Sequence, residues 1–406
     1  MSYVFPQNAT QMEPLIFEEG QDLLTKCYEL DQESAKLSAL IHSTTAKELS
    51  LLVSSMNCYY SNLIEGHNTK PVDIERAMAG DYSTASKKRM LQLEAKAHID
   101  VERLLLANPV PYNVLFSQEF IASIHREFYS RLPEDLHTVV SSDGARQKRV
   151  MPGQFRTSEV QVGIHYPPQY TAVPEFMRRF QSAYLDAWRH RKLPYQRLSV
   201  VACSHHRLLW IHPFLDGNGR VARLFAVLVM KAAGIEGIGL WSPSRGLARR
   251  VDEYKALLQD ADSLRRGDFD GRGNLSLSAL QAFAEFYVDV CLDQVKFMAE
   301  MFELDKLVKR VENFFSIISV TAPIKKEAYR LVVEAIVRGE FARGEAARIT
   351  GLGERVARDV LGDLIERGFL KSDSLKGQVR IGFPTFATGY YFPNLFPAGS
   401  ISELMI

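Results

Sequence analysis

The chain has 406 residues, a length that favours two or three domains because single hydrophobic cores stop growing well below that size. Its composition, 46% hydrophobic and 24% charged, is that of a globular protein, and no stretch approaches the ~18 consecutive apolar residues of a membrane span. The formal net charge of +1 argues against a chain devoted wholly to nucleic acid. The amino terminus lacks the basic and then apolar run of a signal peptide, so we expect a cytoplasmic protein without a membrane partner.

The four cysteines, Cys27, Cys58, Cys203 and Cys291, are far apart, and none has a second cysteine at metal-binding spacing. Zinc sites need closely spaced ligands, and disulfide frameworks need a dense set of cysteines. We therefore expect buried, reduced thiols.

The amino-terminal region has helical periodicity. Apolar residues recur three and four apart among charges from Glu18 to about Leu52 and again from Asp73 to Leu106. That spacing predicts amphipathic helices. Two prolines between Asn108 and Tyr112 punctuate the run, and a further helix is expected from about Ser117. Residues 1–110 are thus predicted to be a helical region of their own.

The texture of the sequence changes from Ser141 to Pro168, where glycines and prolines surround a short alternating run at Val160 to Ile164. Alternation bounded by turn residues predicts a loop and a small β-hairpin. Amphipathic helical patterns then resume and fill the rest of a central unit at 111–305. They cover Pro174 to Arg191, Tyr195 to about His212, Gly219 to Ala233, Ala248 to Ala261 and Leu277 to Phe302.

The segment from about Pro323 to Phe383 has the pattern of a separate small domain, with three amphipathic helices followed by a two-stranded β-wing. That order is typical of a winged helix-turn-helix domain, for which we predict the boundaries 306–384. The tail at 385–406, rich in Phe, Tyr, Pro and Gly, has no usable periodicity. The chain is therefore predicted to be mainly α-helical.

Residues Ile211 to Arg223, IHPFLDGNGRVAR, lie between the end of one predicted helix and the start of the next. Gly217, Asn218 and Gly219 can adopt positive φ angles, which turn several backbone N–H groups inward at the helix amino terminus. Such a nest, with the helix dipole behind it, favours a bound phosphate. We therefore expect nucleotide phosphates at this loop.

Four side chains of the same loop suit a nucleotide. Arg220 and Arg223, in the first turn of the following helix, offer guanidinium forks that match phosphate oxygens. Asp216 supplies a hard carboxylate oxygen for Mg²⁺. His212, at the loop mouth, can remove a proton from a hydroxyl that attacks the α-phosphorus. A glycine turn alone also occurs in plain capped loops, but these added residues favour a nucleotide site.

The loop resembles the signature of the Fic family, HPFx[DE]GNGRxxR, and matches it at every specified position. The resemblance implies a helical Fic catalytic core at 111–305 and an adenylyltransferase, which transfers AMP from ATP to a Ser, Thr or Tyr hydroxyl of a protein. It implies that His212 is the base, that Asp216 holds Mg²⁺ and that Phe214 anchors the loop. The same resemblance assigns the α- and β-phosphates to Gly217, Asn218, Gly219 and Arg220, and the γ-phosphate to Arg223.

The likeness to the Fic family continues outside the loop and covers about half the chain. His205, the segment PGQFR and the predicted hairpin VQVGIHYPP are family-like, and the hairpin resembles the flap that holds a target segment by strand addition. Near the adenine, many relatives carry Asn and a pair of tyrosines, whereas this chain has Arg250, Tyr254 and Lys255. Tyr254 alone fits that pattern, so a preference for a nucleotide other than ATP stays open.

Residues Ser61 to Gly66, SNLIEG, resemble the inhibitory motif [ST]xxxE[GN] of Fic proteins, in the position of the class whose inhibitory helix is amino-terminal. The resemblance implies that Ser61 and Glu65 belong to a built-in brake. A Glu65 carboxylate in a bidentate pair with Arg223 would occupy the guanidinium that the γ-phosphate needs, so ATP would bind misaligned. The plainer alternative is an ordinary helix pair with Gly66 as its C-cap.

Two other functions are compatible with the sequence. In the first, Glu65 orients a water that removes AMP from a modified protein on the same fold. In the second, the core senses nucleotide and the winged domain binds DNA through basic residues of its presumed recognition helix and wing. Acidic residues share that helix, and winged helices also serve as docking or dimerisation modules. Fic relatives often form dimers, and self-modification is a further expectation. The basic residues are Arg355, Arg358, Lys371, Lys376 and Arg380.

Overall fold

The computed structural model describes residues 5–140 and 147–397. Three parts of the sequence predictions lie outside them: positions 1–4 of the amino terminus, 141–146 of the predicted loop, and 398–406 of the tail. Within the described residues the fold is mainly α-helical, with one two-stranded and one three-stranded antiparallel sheet. The predicted fold class is thereby confirmed.

Four α-helices form most of the described part of the amino-terminal region, where the sequence predicted two long helical stretches. The first stretch divides at Ile41, because the ring of His42 accepts a hydrogen bond from the Thr44 N–H (3.3 Å) and caps a second helix. That helix continues beyond the predicted end at Leu52 and ends one residue before Glu65. The helices are α1 (Gln21–Leu40), α2 (Ser43–Ile64), α3 (Pro71–Met78) and α4 (Ser86–Ala107).

The central region is built around one buried helix with the sequence LSVVACSHHRLLWI. Nearly all of its side chains are buried, as expected of a helix that is apolar on most sides. The helices of the region are α5 (Tyr112–Leu115), α6 (Gln118–Tyr129), α7 (Val173–His190), α8 (Leu198–Ile211), α9 (Asn218–Ala233), α10 (Pro243–Arg249), α11 (Val251–Ala261) and α12 (Leu277–Met301). The buried helix is α8, and α7, α9 and α12 pack directly on it. The loop between α8 and α9 therefore starts from the buried centre of the fold.

The β-hairpin of the central region lies earlier in the chain than predicted. Strand β1 (Thr138–Val140) pairs antiparallel with β2 (Gln147–Arg149). At Val160 to Ile164, where we expected the hairpin, the structure has a tight turn closed by two backbone hydrogen bonds between Val162 and His165 (3.0 and 2.9 Å). The two prolines that follow lack N–H donors and do not extend the ladder. Residues 160–168 are called the flap segment below.

The carboxyl-terminal part, residues 304–397 and called the C-terminal unit, contains five helices and the three-stranded sheet. The three predicted helices and the two predicted strands are present in the predicted order, and a further short strand adds a third member to their sheet. Whether this arrangement works as a winged helix-turn-helix domain stays a prediction. The elements are α13 (Leu304–Thr321), α14 (Tyr329–Arg338), β3 (Glu340–Phe341), α15 (Ala346–Thr350), α16 (Glu354–Glu366), β4 (Leu370–Lys371), β5 (Val379–Ile381) and α17 (Thr385–Tyr391), with sheet order β3-β5-β4.

Helix α17 lies in the tail, where the sequence shows no periodicity. It packs on α13, and the ring of Tyr391 meets that of Phe314 edge-on at 5.5 Å between centroids. Phe392 is also buried and contacts Phe302 at 5.1 Å. An isolated helix this short is not stable in water, so α17 depends on these aromatic contacts.

The four cysteines are buried and free, as predicted. Among the helices of the described ranges, none has both the length and the apolar character needed to cross a membrane. The cytoplasmic location stays a prediction.

Candidate active site

Hydrogen bonds within the loop between α8 and α9, and one aromatic contact with α6, hold its conformation. His212 follows the end of α8 in the left-handed conformation (φ 48°), which non-glycine residues rarely adopt. The amide oxygen of Asn218 accepts from the Phe214 N–H and the amide nitrogen donates to the Phe214 carbonyl, both at 2.9 Å. The Phe214 ring is fully buried and stacks on His125 at 4.1 Å. The loop mouth, where His212 lies, is therefore a fixed point.

Gly217 is the glycine on which the loop conformation depends. Its φ is +77°, and a Cβ there would lie 2.9 Å from the Tyr129 ring, so a side chain would be both strained and crowded. Asn218 and Gly219, which we also expected at positive φ, lie instead in the first turn of α9. The predicted three-residue nest is wrong, because α9 begins one residue after Gly217. The loop therefore offers the free N–H groups of a helix amino terminus, which also favour an anion.

The structure brings Glu65 and Arg223 together. Arg223 donates from Nη2 to the Glu65 carboxylate (2.5 Å), while its Nε donates to the Ser61 hydroxyl (2.8 Å). Nη2 also donates to the Ser61 carbonyl (3.2 Å). The pair is therefore not bidentate as predicted, because Ser61 occupies the other edge of the guanidinium. A Cβ on Gly219 would collide with the carboxylate, so this glycine makes room for the contact.

Glu65 is ionised in this pair. Burial opposes its ionisation, but the guanidinium groups of Arg223 and Arg220 outweigh that effect and lower the pKa of the carboxyl below its ordinary value. The Glu65 side chain is nevertheless 34% exposed, against 4% for that of Arg223. The ion pair therefore lies at a surface that an incoming anion can reach.

Arg220, one helical turn before Arg223, has different partners. Its Nη2 donates to the Glu94 carboxylate at 2.9 Å and lies 2.9 Å from Nδ1 of His67. The guanidinium also lies over the Phe128 ring, 5.3 Å from the centroid, and the residue is 5% exposed. The guanidinium of Arg220 thus belongs to a buried ion pair within the protein, and its predicted contact with phosphate stays a prediction.

Asp216 is exposed on the loop, where it accepts a hydrogen bond from the Tyr129 hydroxyl at 2.6 Å. Burial and the charge of Asp216 raise the pKa of Tyr129, which keeps the hydroxyl a donor. Among the described residues, no group of three or more His, Cys, Asp or Glu side chains could hold a metal alone. A single exposed carboxylate beside a helix amino terminus suits Mg²⁺ that arrives with ATP, because phosphates and waters supply its other oxygens.

A cavity of about 520 Å³ opens beside the loop and collects five of the predicted site residues: Glu65, His212, Gly219, Arg223 and Tyr254. Residues 162–165 of the flap segment line the same cavity. Among the described residues that line it, the other predicted ones, Ser61, Asp216, Gly217, Asn218 and Arg220, do not appear. The cavity thus joins the predicted base, the predicted γ-phosphate ligand and the predicted brake.

Of the residues expected near the adenine, some line the cavity and one lies at the surface. Tyr254 is buried, and its hydroxyl lies 2.8 Å from Nε2 of His205. Lys255 lines the cavity beside it. Arg250 instead pairs with Glu253 through two contacts of 2.7 and 2.8 Å. Of the three residues that depart from or fit the family pattern, Tyr254 and Lys255 line the cavity, and Arg250 is not among its lining residues.

The surroundings of His212 keep its imidazole uncharged. Burial, followed by the neighbouring His165 and Arg156, lowers its pKa to about 4. Arg156 also fixes the residue by donating from Nε to the His212 carbonyl (2.9 Å). At neutral pH the ring is therefore uncharged, as a general base must be.

Residues 115–230 match the Fic/DOC family. A protein named protein adenylyltransferase Fic from Nematostella vectensis is 28% identical over 226 residues, which are 54% of this chain and 47% of that protein. A protein of the same name from Drosophila mojavensis is 27% identical over 207 residues, 50% of this chain and 37% of that one. The chain carries a Fic domain at residues 115–230. It spans less than half the length of either relative.

Solved structures support the fold of the Fic domain and its surroundings. A Fic family protein from Desulfovibrio desulfuricans G20 superposes with a TM-score of 0.51 at 15% identity, covering 91% of this chain and 98% of that one. Fic-1 (residues 134–508) from C. elegans gives a TM-score of 0.50 at 19% identity, with coverage of 69% and 72%. At these identities the likeness concerns the fold alone.

Several residues that brace the Fic domain were missed by sequence reasoning. Tyr129 on α6 holds Asp216, and Glu94 on α4, with His67, holds Arg220. These contacts join residues 87 to 153 positions apart. No local pattern signals them, because an isolated Tyr or Glu on an amphipathic helix looks like an ordinary surface residue.

Two basic residues of the wing, Lys371 and Arg380, are already paired within the protein. Both bind the buried carboxylate of Glu48 on α2, at 2.9 and 2.7 Å. Arg380 also binds Asp373 at 2.6 Å. The suggested contacts of these two residues with DNA phosphates would compete with existing ion pairs, and DNA binding stays a prediction.

Proposed function

We propose that the protein is an adenylyltransferase that transfers AMP from ATP to a Ser, Thr or Tyr hydroxyl of another protein. The observation that carries the proposal is the meeting of His212, Arg223 and the amino terminus of α9 at one cavity. A neutral base, a fixed cation and free N–H groups are what nucleotidyl transfer needs. The Fic domain and the names of the curated relatives support the same chemistry.

In the proposed reaction, the hydroxyl oxygen of the target attacks the α-phosphorus of ATP. The new O–P bond forms, the bond from the α-phosphorus to the oxygen bridging the β-phosphate breaks, and pyrophosphate leaves. The proton of the hydroxyl passes to the imidazole of His212. Mg²⁺ bound through Asp216 would offset the negative charge of the phosphates.

The remaining residues would bind and orient ATP. The N–H groups of Asn218 and Gly219, at the start of α9, suit the α- and β-phosphates. Arg223 suits the γ-phosphate because it lines the cavity and carries a guanidinium. Tyr254 offers an aromatic wall for the base.

Glu65 would act as a brake on this reaction. Its carboxylate accepts a hydrogen bond from Nη2 of Arg223, a residue that lines the cavity, so the γ-phosphate and Glu65 would compete for one cation. While Glu65 stays, bound ATP would lack its γ-phosphate contact and its α-phosphorus would be misaligned for in-line attack. Loss of the carboxylate should therefore increase transfer.

The proposal is tested by incubating three proteins, native, Glu65→Gly and Glu65→Gly with His212→Ala, with labelled ATP, Mg²⁺ and cell extract, followed by mass spectrometry. We expect AMP on hydroxyl side chains, most with Glu65→Gly and none with the double variant. Label on the enzyme itself would show self-modification. A Glu65→Gly protein that binds ATP but modifies nothing would contradict the proposal.

A second candidate function is the hydrolytic removal of AMP from a modified protein. The observation that favours it is that the partly exposed Glu65 carboxylate shares the cavity with His212, where it can orient a water. Release of AMP from a pre-modified target, lost in Glu65→Gly, would identify this activity. A nucleotide-sensing regulator would instead give a salt-dependent DNA shift that persists in His212→Ala.

A further inference from the structure

Helix α2 leads directly into Glu65, the residue of the proposed brake, and contacts the C-terminal unit. Glu65 follows its last residue, and Glu48 lies near its first turn. At a rise of about 1.5 Å per residue, the two residues lie about 25 Å apart along the helix axis. Glu48 and Glu65 are thus joined by one continuous helix.

The contact at Glu48 is a buried ion cluster. Its carboxylate is 6% exposed and binds Lys371 on β4 and Arg380 on β5 with one oxygen each (2.9 and 2.7 Å). Burial opposes the ionisation of Glu48, but the hydrogen bonds from Arg380 and Lys371 prevail and lower its pKa below the ordinary value. Neither strand belongs to the Fic domain, so nothing in the proposed chemistry requires this cluster.

Further contacts fasten α2 to the same C-terminal unit. The Thr45 hydroxyl donates to the Ile336 carbonyl at the end of α14 (3.0 Å). Closer to the brake, the Tyr60 hydroxyl donates to the Leu395 carbonyl (3.0 Å), and the Tyr59 ring meets that of Phe396 at 5.6 Å. The C-terminal unit thus holds α2 both at its start and within two turns of Glu65.

We infer that Glu48 is a positioning residue for the brake, through which the C-terminal unit holds α2 where Glu65 reaches Arg223. This inference rests on the proposed function and adds its regulation: whatever alters the C-terminal unit at Lys371 and Arg380 changes how often Arg223 is free. The alternative is that the cluster only docks two parts of the chain. A docking role would lower activity with or without Glu65, whereas a positioning role acts only while Glu65 is present.

The test is a double-mutant cycle with Glu48→Gln, measured as AMP transfer with Glu65 intact and in the Glu65→Gly background. With Glu65 intact, we expect transfer to rise on the order of three- to tenfold, because α2 is less firmly held. In the Glu65→Gly background, we expect a change of less than about twofold, because the brake is already absent. Lys371→Gln, which removes a half-exposed partner and is less disruptive, should change transfer in the same direction by a smaller factor.

Glu19→Gln is the matched control. The Glu19 carboxylate is similarly buried and binds Arg191 (2.7 Å), away from α2. We expect it to alter stability without a rise in transfer in either background. Hydrogen exchange of the last turns of α2, residues 57–64, gives a second readout that does not depend on catalysis. Exchange there should increase in Glu48→Gln and stay unchanged in Glu19→Gln.

Equal losses of transfer in both backgrounds, or unchanged transfer and exchange in folded Glu48→Gln and Lys371→Gln proteins, would overturn the inference. If Glu65→Gly raises transfer but Glu48→Gln does not, the brake stands and the role of Glu48 is wrong. If Glu65→Gly itself does not raise transfer, the proposed brake fails, and unchanged exchange in α2 would then reject the role of Glu48 independently.

Discussion

Arg220 and Arg223 lie one turn apart on the same helix, and each is paired with a glutamate from the amino-terminal region. The partner of Arg220 is Glu94, whose side chain is 15% exposed, and the guanidinium is further enclosed by His67 and Phe128. The partner of Arg223 is Glu65, whose side chain is 34% exposed and lines the cavity. The two pairs have the same chemistry and differ in access.

That difference in access distinguishes a structural ion pair, called the brace, from the proposed inhibitory one, the brake. Removing one partner of an enclosed ion pair leaves a buried charge without compensation, which is costly. Removing the partner of a pair that opens on a cavity leaves a cation that an anionic ligand can take instead. We therefore expect opposite results from loss of Glu94 and of Glu65, although both carboxylates bind arginines of α9.

The largest expected effect comes from His212, because the freed Arg223 is useful only if a base removes the proton of the attacking hydroxyl. In the Glu65→Gly background, His212→Ala should reduce transfer by ~10²- to 10⁴-fold. ATP affinity should change little, since the imidazole lies outside the predicted phosphate contacts. The measurements are initial rates with a purified target and calorimetric titration with ATP. Near-normal transfer by the folded variant would remove His212 from the mechanism.

Glu65→Gly alone should raise transfer on the order of tenfold to a hundredfold, because a charge-assisted hydrogen bond of ~1.5 to 3 kcal/mol no longer competes with the γ-phosphate. The rate of AMP incorporation into one target measures this gain. Adding Arg223→Ala should cancel it, since no freed guanidinium is left. Equal rates for native and Glu65→Gly proteins would reject the brake and leave the assignment of His212 untouched.

Glu94→Gln should act in the opposite direction. With Glu65→Gly as the reference, we expect a loss of about tenfold in transfer, because Arg220 loses its charged partner and the first turn of α9 loses its support. Both the rate and the melting temperature should fall. A gain in transfer would mean that Glu94 also restrains the site, and the distinction between brace and brake would disappear.

The sequence alone predicts the features of the site that are encoded within one continuous segment. The residues from His212 to Arg223 predict a phosphate-binding loop because their functional groups are adjacent in the chain. The segment SNLIEG predicts an inhibitory role for Glu65 by its resemblance to the family motif. The helices were predictable from apolar spacing, which reflects burial on one face. The loop, the contact of Glu65 with Arg223 and the bounds of most helices in the central region were therefore predictable from the sequence alone.

The partners of these residues were not predictable in the same way. Glu94 reaches Arg220 across 126 positions, and Glu48 reaches Arg380 across 332. Such pairs depend on how helices pack, which local periodicity does not determine. The split of the guanidinium of Arg223 between Ser61 and Glu65, and the turn in place of a hairpin in the flap segment, likewise depend on three-dimensional neighbours.

The smallest expected effect on transfer comes from changing Glu102, a glutamate of α4 that accepts hydrogen bonds from two residues of α2. It lies between the Ser54 hydroxyl and the Asn57 amide, both at 2.5 Å, and is 5% exposed. Unlike Glu94, it has no cation in hydrogen-bond contact among the described residues. Burial raises its pKa from 4.5 to about 7, although the hydrogen bonds from Ser54 and Asn57 partly oppose this increase.

The sign of the resulting pH dependence follows from proton uptake. Between about pH 4.5 and 7 the folded chain keeps the proton on Glu102 while the unfolded chain has released it, so stability falls as pH rises through that window. Glu102→Gln is neutral at every pH and lacks this slope. The free energy of unfolding of Glu102→Gln, relative to that of the native protein, should therefore increase by a few kcal/mol from about pH 4.5 to 8. Each tenfold difference in proton affinity between the folded and unfolded states is worth about 1.4 kcal/mol. Urea unfolding at several pH values measures this difference, in which contributions from other groups cancel. Parallel stability curves would show that the fold does not raise the pKa of Glu102.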